Sequence, residues 1–122
     1  MGRAIGVVSD LIFSSKILAT ARAAGVEART VSTASALQAA LESGDVSLVI
    51  VDMSLPAEQA LDALRSAASH RSGPTTVAFY SHVQSELREA AEKAGAGIIM
   101  SRSKFTERLP DLLSQHCSGG IG

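Results

Sequence analysis

Residues 47–51, Ser47-Leu48-Val49-Ile50-Val51, form the most continuous β-branched run in the chain, and Asp52 follows it directly. An apolar run without alternation suits a strand buried on both faces, the habit of parallel sheets covered by helices. This stretch is therefore expected to be the central strand. Towards the N-terminus, Ile5–Val8 reads as a first strand ended by Ser9 and Asp10. Phe13, Ile17, Ala21 and Ala24 then mark a helix over Leu11–Ala24, with Gly25 placed to close it. Glu27–Ser32 carries the weaker pattern of an edge strand, and Ser32 or Thr33 caps a second helix through Leu37, Ala40 and Leu41 that Gly44 stops.

The same alternation continues beyond Asp52. Ala60, Leu61, Leu64, Ala67 and Ala68 give a third helix one apolar face, and Ser72, Gly73 and Pro74 break it. Thr75–Tyr80 reads as a fourth strand and Ile98–Met100 as a fifth. Between them Leu87, Ala90, Ala91 and Ala94 sit at i, i+3, i+4 and i+7, a fourth helix ended by Gly95. Leu109, Leu112 and Leu113 predict a last helix with Thr106 as its cap and Pro110 in its first turn. Connections this long exclude hairpins and require crossovers, so the expected class is α/β, a doubly wound five-stranded parallel sheet of order 2-1-3-4-5.

The 122 residues suffice for one domain, expected over 1–117, with a Gly-rich flexible tail at 118–122. A hydrophobic content of 46% fills such a core without disulfides or metal. A formal charge of -1 supplies no footprint for nucleic acid or an anionic membrane, and 3% aromatics leave little for base stacking. One cysteine, Cys117, cannot form an internal bridge, and neither a secretion signal nor a membrane span is legible, so a cytoplasmic location is expected. His70, His116 and Cys117 lack metal-ligand spacing, and GxSxG, GxxxxGK[ST] and GxGxxG patterns are all missing. A conventional enzyme is not expected.

In a doubly wound sheet the ligand crevice lies beyond the carboxyl ends of the strands, where the strand order reverses. The exits there carry Ser9 and Asp10, Asp52, Ser81, and Ser101 with Arg102. Strands 1 and 3, neighbours at ~4.8 Å in typical spacing, bring Asp10 and Asp52 to one rim. Facing carboxylates either raise one pKa or recruit a cation, and hard oxygen ligands suit Mg²⁺. Ser81 and Arg102 complete a pocket for an anionic group carried on one carboxylate. Each residue also has a structural reading: Asp10 as an N-cap, Ser81 as a helix cap, Arg102 as a solvated loop charge, and His82 as polar surface. Asp52 is the hardest to explain structurally, because a buried carboxylate costs several kcal/mol unless paired or bound.

These residues resemble the receiver domains of two-component response regulators, proteins of flavodoxin-like fold. The similarity runs from Ile5 to about Leu113 and is strongest at Val49-Ile50-Val51-Asp52-Met53-Ser54-Leu55-Pro56, with the Ala94-Gly95-Ala96 turn fitting as well. The resemblance implies Asp52 as phosphoacceptor, Asp10 as a direct Mg²⁺ ligand, Ser54 as donor of a backbone carbonyl to that metal, and Ser81 as the hydroxyl that contacts the phosphoryl group. It also implies a sensor histidine kinase or other signalling protein as partner, and an output face, possible for a homodimer, formed by the fourth helix, fifth strand and fifth helix.

The departures are equally specific. Ser9 replaces the first of two adjacent acids, Arg102 followed by Ser103 replaces a lysine followed by proline, His82 replaces a small residue, and Ile99 replaces the aromatic switch residue. Tyr80 alternates away from Ser81 and does not substitute for it. Arg102 is expected either to pair with Asp52 or Asp10 or to yield its place to Lys104 through a longer loop. The expected function is a stand-alone receiver-like signalling domain, atypical in form, with Mg²⁺-dependent phosphorylation of Asp52 open. The alternatives are a phosphorylation-independent interaction module and a small-ligand binder on the same fold.

Overall fold

The computed structural model describes residues 2–81 and 85–117. The tail expected at 118–122 and His82 lie outside the described residues. The strands are β1 (Arg3–Val7), β2 (Ala28–Val31), β3 (Val46–Asp52), β4 (Thr75–Tyr80) and β5 (Ile98–Ser101). The helices are α1 (Leu11–Ala23), α2 (Ala34–Glu42), α3 (Ala57–Ser69), α4 (Ser85–Ala94) and α5 (Arg102–Cys117). All neighbouring strands pair in parallel, in the order β2-β1-β3-β4-β5. Thus β3, the run from which the fold was read, is bonded on both sides.

Side-chain alternation sorts the core into two layers. Ile5, Val7, Val49, Val51 and Ala78 face α2, α3 and α4, where Leu37, Leu41, Ala60, Leu64 and Ala91 meet them. Ala4, Leu48, Ile50, Val77 and Phe79 face α1 and α5, packing on Phe13, Ile17, Phe105, Leu109 and Leu113. The chain's three phenylalanines all lie in this second layer. Phe79 stacks on Phe105 with centroids 4.6 Å apart, and Phe13 tilts against Phe79 at 4.9 Å. Small residues serve the opposite layer. Gly95 ends α4 at φ +109, and a Cβ there would strike Ala68 of α3, so close helix contact and backbone conformation both require glycine. The buried Thr76 hydroxyl holds this turn, donating to the Gly95 carbonyl and accepting from the Gly97 N–H, both at 2.9 Å.

The last helix departs most from expectation. It starts at Arg102 rather than near Thr106, because Ser101 Oγ accepts from the Lys104 N–H at 3.2 Å and Phe105 extends the buried stripe by a turn. Thr106 is therefore no cap; its hydroxyl donates back to the Arg102 carbonyl at 3.0 Å. Pro110 sits inside the helix rather than in its first turn, on the exposed side. Of the two candidate caps for α2, Thr33 does the work, accepting from the Ala36 N–H at 3.0 Å.

Candidate functional site

The strand order reverses between β1 and β3, so the switch-point crevice opens where these two strands end. Val7 and Val51 are register partners, which sends both chains out at the same edge: Asp52 follows immediately, and Asp10 comes after Val8 and the exposed Ser9.

Asp10 holds the start of α1 in extended conformation, and its Oδ1 accepts from the N–H groups of Ile12 at 2.9 Å and Phe13 at 3.2 Å. The N-cap reading is thus correct. Its other oxygen accepts from Arg102 Nη2 at 3.1 Å. The guanidinium carbon lies 4.5 Å from the centroid of the Phe13 ring, so one residue of α1's first turn supplies a backbone donor to Asp10 and a π-face to its partner. Since α5 has no acid in its first turn, Asp10 also provides the negative charge that this helix N-terminus favours. The Phe13 N–H and then the Arg102 guanidinium hold the Asp10 carboxyl below the usual carboxylate range, against a smaller opposing effect of desolvation.

Asp52 is in a different setting. It is 2% exposed, pairs in register with Phe79, and its Oδ1 accepts from the Ser54 N–H at 2.8 Å and the Ser54 hydroxyl at 2.6 Å. Among the described residues only Ser54 donates to it. The short Asp-x-Ser turn satisfies one oxygen locally, leaving Oδ2 without a bonded partner among those residues. Arg102 therefore pairs with Asp10 of the two acids, and Lys104, exposed on α5, takes no part, because α5 begins too early for the longer loop it would need. Ser81 is exposed in the bend after β4. Ile99 and Tyr80 both pack against the α2–α4 layer, away from Phe79's face.

Sequence reasoning missed two contributors. Phe13 reads as plain core until Arg102 is seen over it, and Ser54 reads through its carbonyl, whereas its N–H and hydroxyl face Asp52. The spacing Asp-x-Ser, a hydrogen-bonding turn signature, was the available signal for the second.

The donor set does not fit resident Mg²⁺. That ion demands near-octahedral oxygen coordination. Both Asp10 oxygens are engaged by N–H donors, one Asp52 oxygen is engaged by Ser54, and no group of three or more His, Cys, Asp or Glu among the described residues is arranged to hold a metal.

No family model and no curated protein matches the sequence. Solved structures do match the fold. A response regulator from Hahella chejuensis superposes with a TM-score of 0.79 at 15% identity, over 93% of this chain and 93% of that one. NtrX from Brucella abortus, solved in complex with ADP, gives 0.74 at 22% identity over 94% of this chain, which spans 26% of NtrX. An atypical orphan response regulator, described as revealing a phosphorylation-independent regulatory mechanism, gives 0.75 at 14% identity over 93% of this chain and 92% of that one. No helix among the described residues is long and apolar enough to cross a membrane.

Proposed function

With the receiver fold as premise, we propose that this chain is a non-catalytic, cytoplasmic signalling module of the response-regulator type that engages its partner without phosphorylation of Asp52. The observation that carries the reading is the 3.1 Å contact between Arg102 Nη2 and Asp10 Oδ2. It commits to an internal ion pair the acid that a metal-dependent phosphotransfer would need, and Ser9 supplies no second carboxylate. A guanidinium fork clamped on Phe13 and Asp10 is a fixed cation at the rim, standing where receivers have a lysine. Burial of Cys117, which pushes its thiol pKa up, suits an inert cysteine and agrees with a reducing compartment.

The partner class that the fold implies is a sensor histidine kinase or another signalling protein, or a second copy through the α4–β5–α5 face. One observation favours the active alternative: Asp52 stays buried at the end of β3 with one oxygen unbonded among the described residues. Incubation with acetyl phosphate and Mg²⁺, read by intact mass, decides between them. No adduct is expected. A single phosphoryl adduct that disappears in Asp52→Asn would overturn the reading.

A further inference from the structure

A helix lying on a sheet ordinarily presents polar residues to water, but α1 does not. Phe13, Ile17 and Ala21 are its buried stripe. Its outward arc begins with Leu11 and Ile12, 81% and 84% exposed, the large hydrophobics left open to solvent among the described residues. Ser15 and Ala19 continue the arc at helical spacing, both exposed. The helix carries two charges, Lys16 and Arg22, and both are positive. An apolar strip edged by cations is an unsatisfied surface.

We infer that the outer face of α1, centred on Leu11 and Ile12, docks an amphipathic helix of another protein whose apolar stripe is flanked by acidic residues. Charge complementarity selects this occupant. Helices α1 and α5, which pack together on one side of the sheet, carry five basic residues against two acidic; α2, α3 and α4 on the other side carry three against six. A symmetric contact between two copies through α1 would oppose Lys16 and Arg22 to themselves. A head-to-tail contact would meet the acidic side, where no large hydrophobic is exposed among the described residues to cover Leu11 and Ile12. A membrane surface is the poorer match, since the arc holds two cations and no aromatic. The surface adjoins the rim, because Asp10 caps the same helix and Arg102 ties it to α5. The inference does not depend on the state of Asp52.

The test uses the full chain and a synthetic helical peptide with leucines in heptad a and d positions and glutamates beside them, followed by fluorescence anisotropy. Saturable binding is expected, weakened at least about tenfold in Leu11→Ser/Ile12→Ser and in Lys16→Glu/Arg22→Glu. All four side chains are exposed, so both variants should fold, with circular dichroism as the check. A lysine-flanked version of the peptide should bind the charge-reversed variant better than the wild type. The inference is overturned if both peptides bind the wild type equally, if the serine variant binds as well as the wild type, or if no peptide binds. Binding only to phosphatidylserine-containing vesicles, or concentration-dependent self-association abolished by Leu11→Ser/Ile12→Ser, would also overturn it. A phosphoryl adduct on Asp52 with peptide binding intact would remove the proposed function and leave this inference standing.

Discussion

At the β1–α1 corner Asp10 is half-exposed and accepts from three donors, Ile12, Phe13 and Arg102. At the β3–α3 corner Asp52 is buried and accepts only from Ser54 among the described residues. The acid open to water carries the structural duties, and the buried one has few. Ordinary folding economics predicts the reverse, because a carboxylate removed from water needs partners more than one left in it. The inversion has a local cause. Asp10 starts a helix whose free N–H groups require an acceptor. Pro56, the residue before α3, has no side-chain acceptor, and Asp52 lies too far upstream to cap that helix. The β3–α3 corner thus keeps the layout of a reactive site, while the β1–α1 corner has been turned into a brace.

The contrast breaks most visibly if the brace is undone. Ser9→Asp with Arg102→Lys restores a second acid and replaces the fork with a point charge, freeing Asp10 for a cation. The expected outcome is a change from no adduct to an Mg²⁺-dependent phosphoryl adduct with acetyl phosphate, abolished by adding Asp52→Asn. If the double variant stays unmodified while folded, Arg102 is not what closes the site. Stability comes next. Arg102→Ala removes the contact with the Phe13 ring and should cost about 0.5–1 kcal/mol, with the exposed ion pair adding little. Asp52→Asn keeps an acceptor for Ser54 and takes a charge out of the interior. It should lie within about 1 kcal/mol of the wild type, on the more stable side. Urea midpoints compare the two directly, and a large loss in Asp52→Asn would mean that its charge is structurally required.

Much of this arrangement was legible in the residues. The unbroken run before Asp52 could only be a strand covered on both faces, and with the helical stripes around it the sheet order and the shared edge of Asp10 and Asp52 followed. The start of α5 was not legible, for an instructive reason. Ser101 and Arg102 drew notice as polar groups leaving β5, which concealed that Ser101 also caps a helix and that Phe105 belongs to its buried stripe. Where a strand passes into a helix without a loop, the same residue is both exit and cap, and periodicity cannot separate the two. The choice of Arg102's partner was likewise beyond the sequence. It depends on the Phe13 ring, which lies in the α1–α5 layer and holds the guanidinium over the first turn of α1.

The smallest effect expected is a pH dependence at the braced corner. The Asp10 carboxyl titrates below its unfolded value, ~3.9, so the folded state binds this proton less readily than the unfolded chain. Its contribution is therefore complete above the unfolded pKa and is lost as pH falls through the folded one. Asp10→Asn keeps an oxygen for the Ile12 and Phe13 N–H groups but cannot titrate. Urea midpoints measured from neutral pH down to about 2 should fall less steeply in the variant than in the wild type below about 4. Salt separates the two causes, since added NaCl screens the exposed pair with Arg102 and leaves the short backbone bonds of the cap nearly unaffected. Most of the difference between the two proteins should survive in salt, because the Phe13 N–H is the larger cause of the depression. If salt erases it, Arg102 dominates at Asp10, and the corner is held by the ion pair more than by the cap.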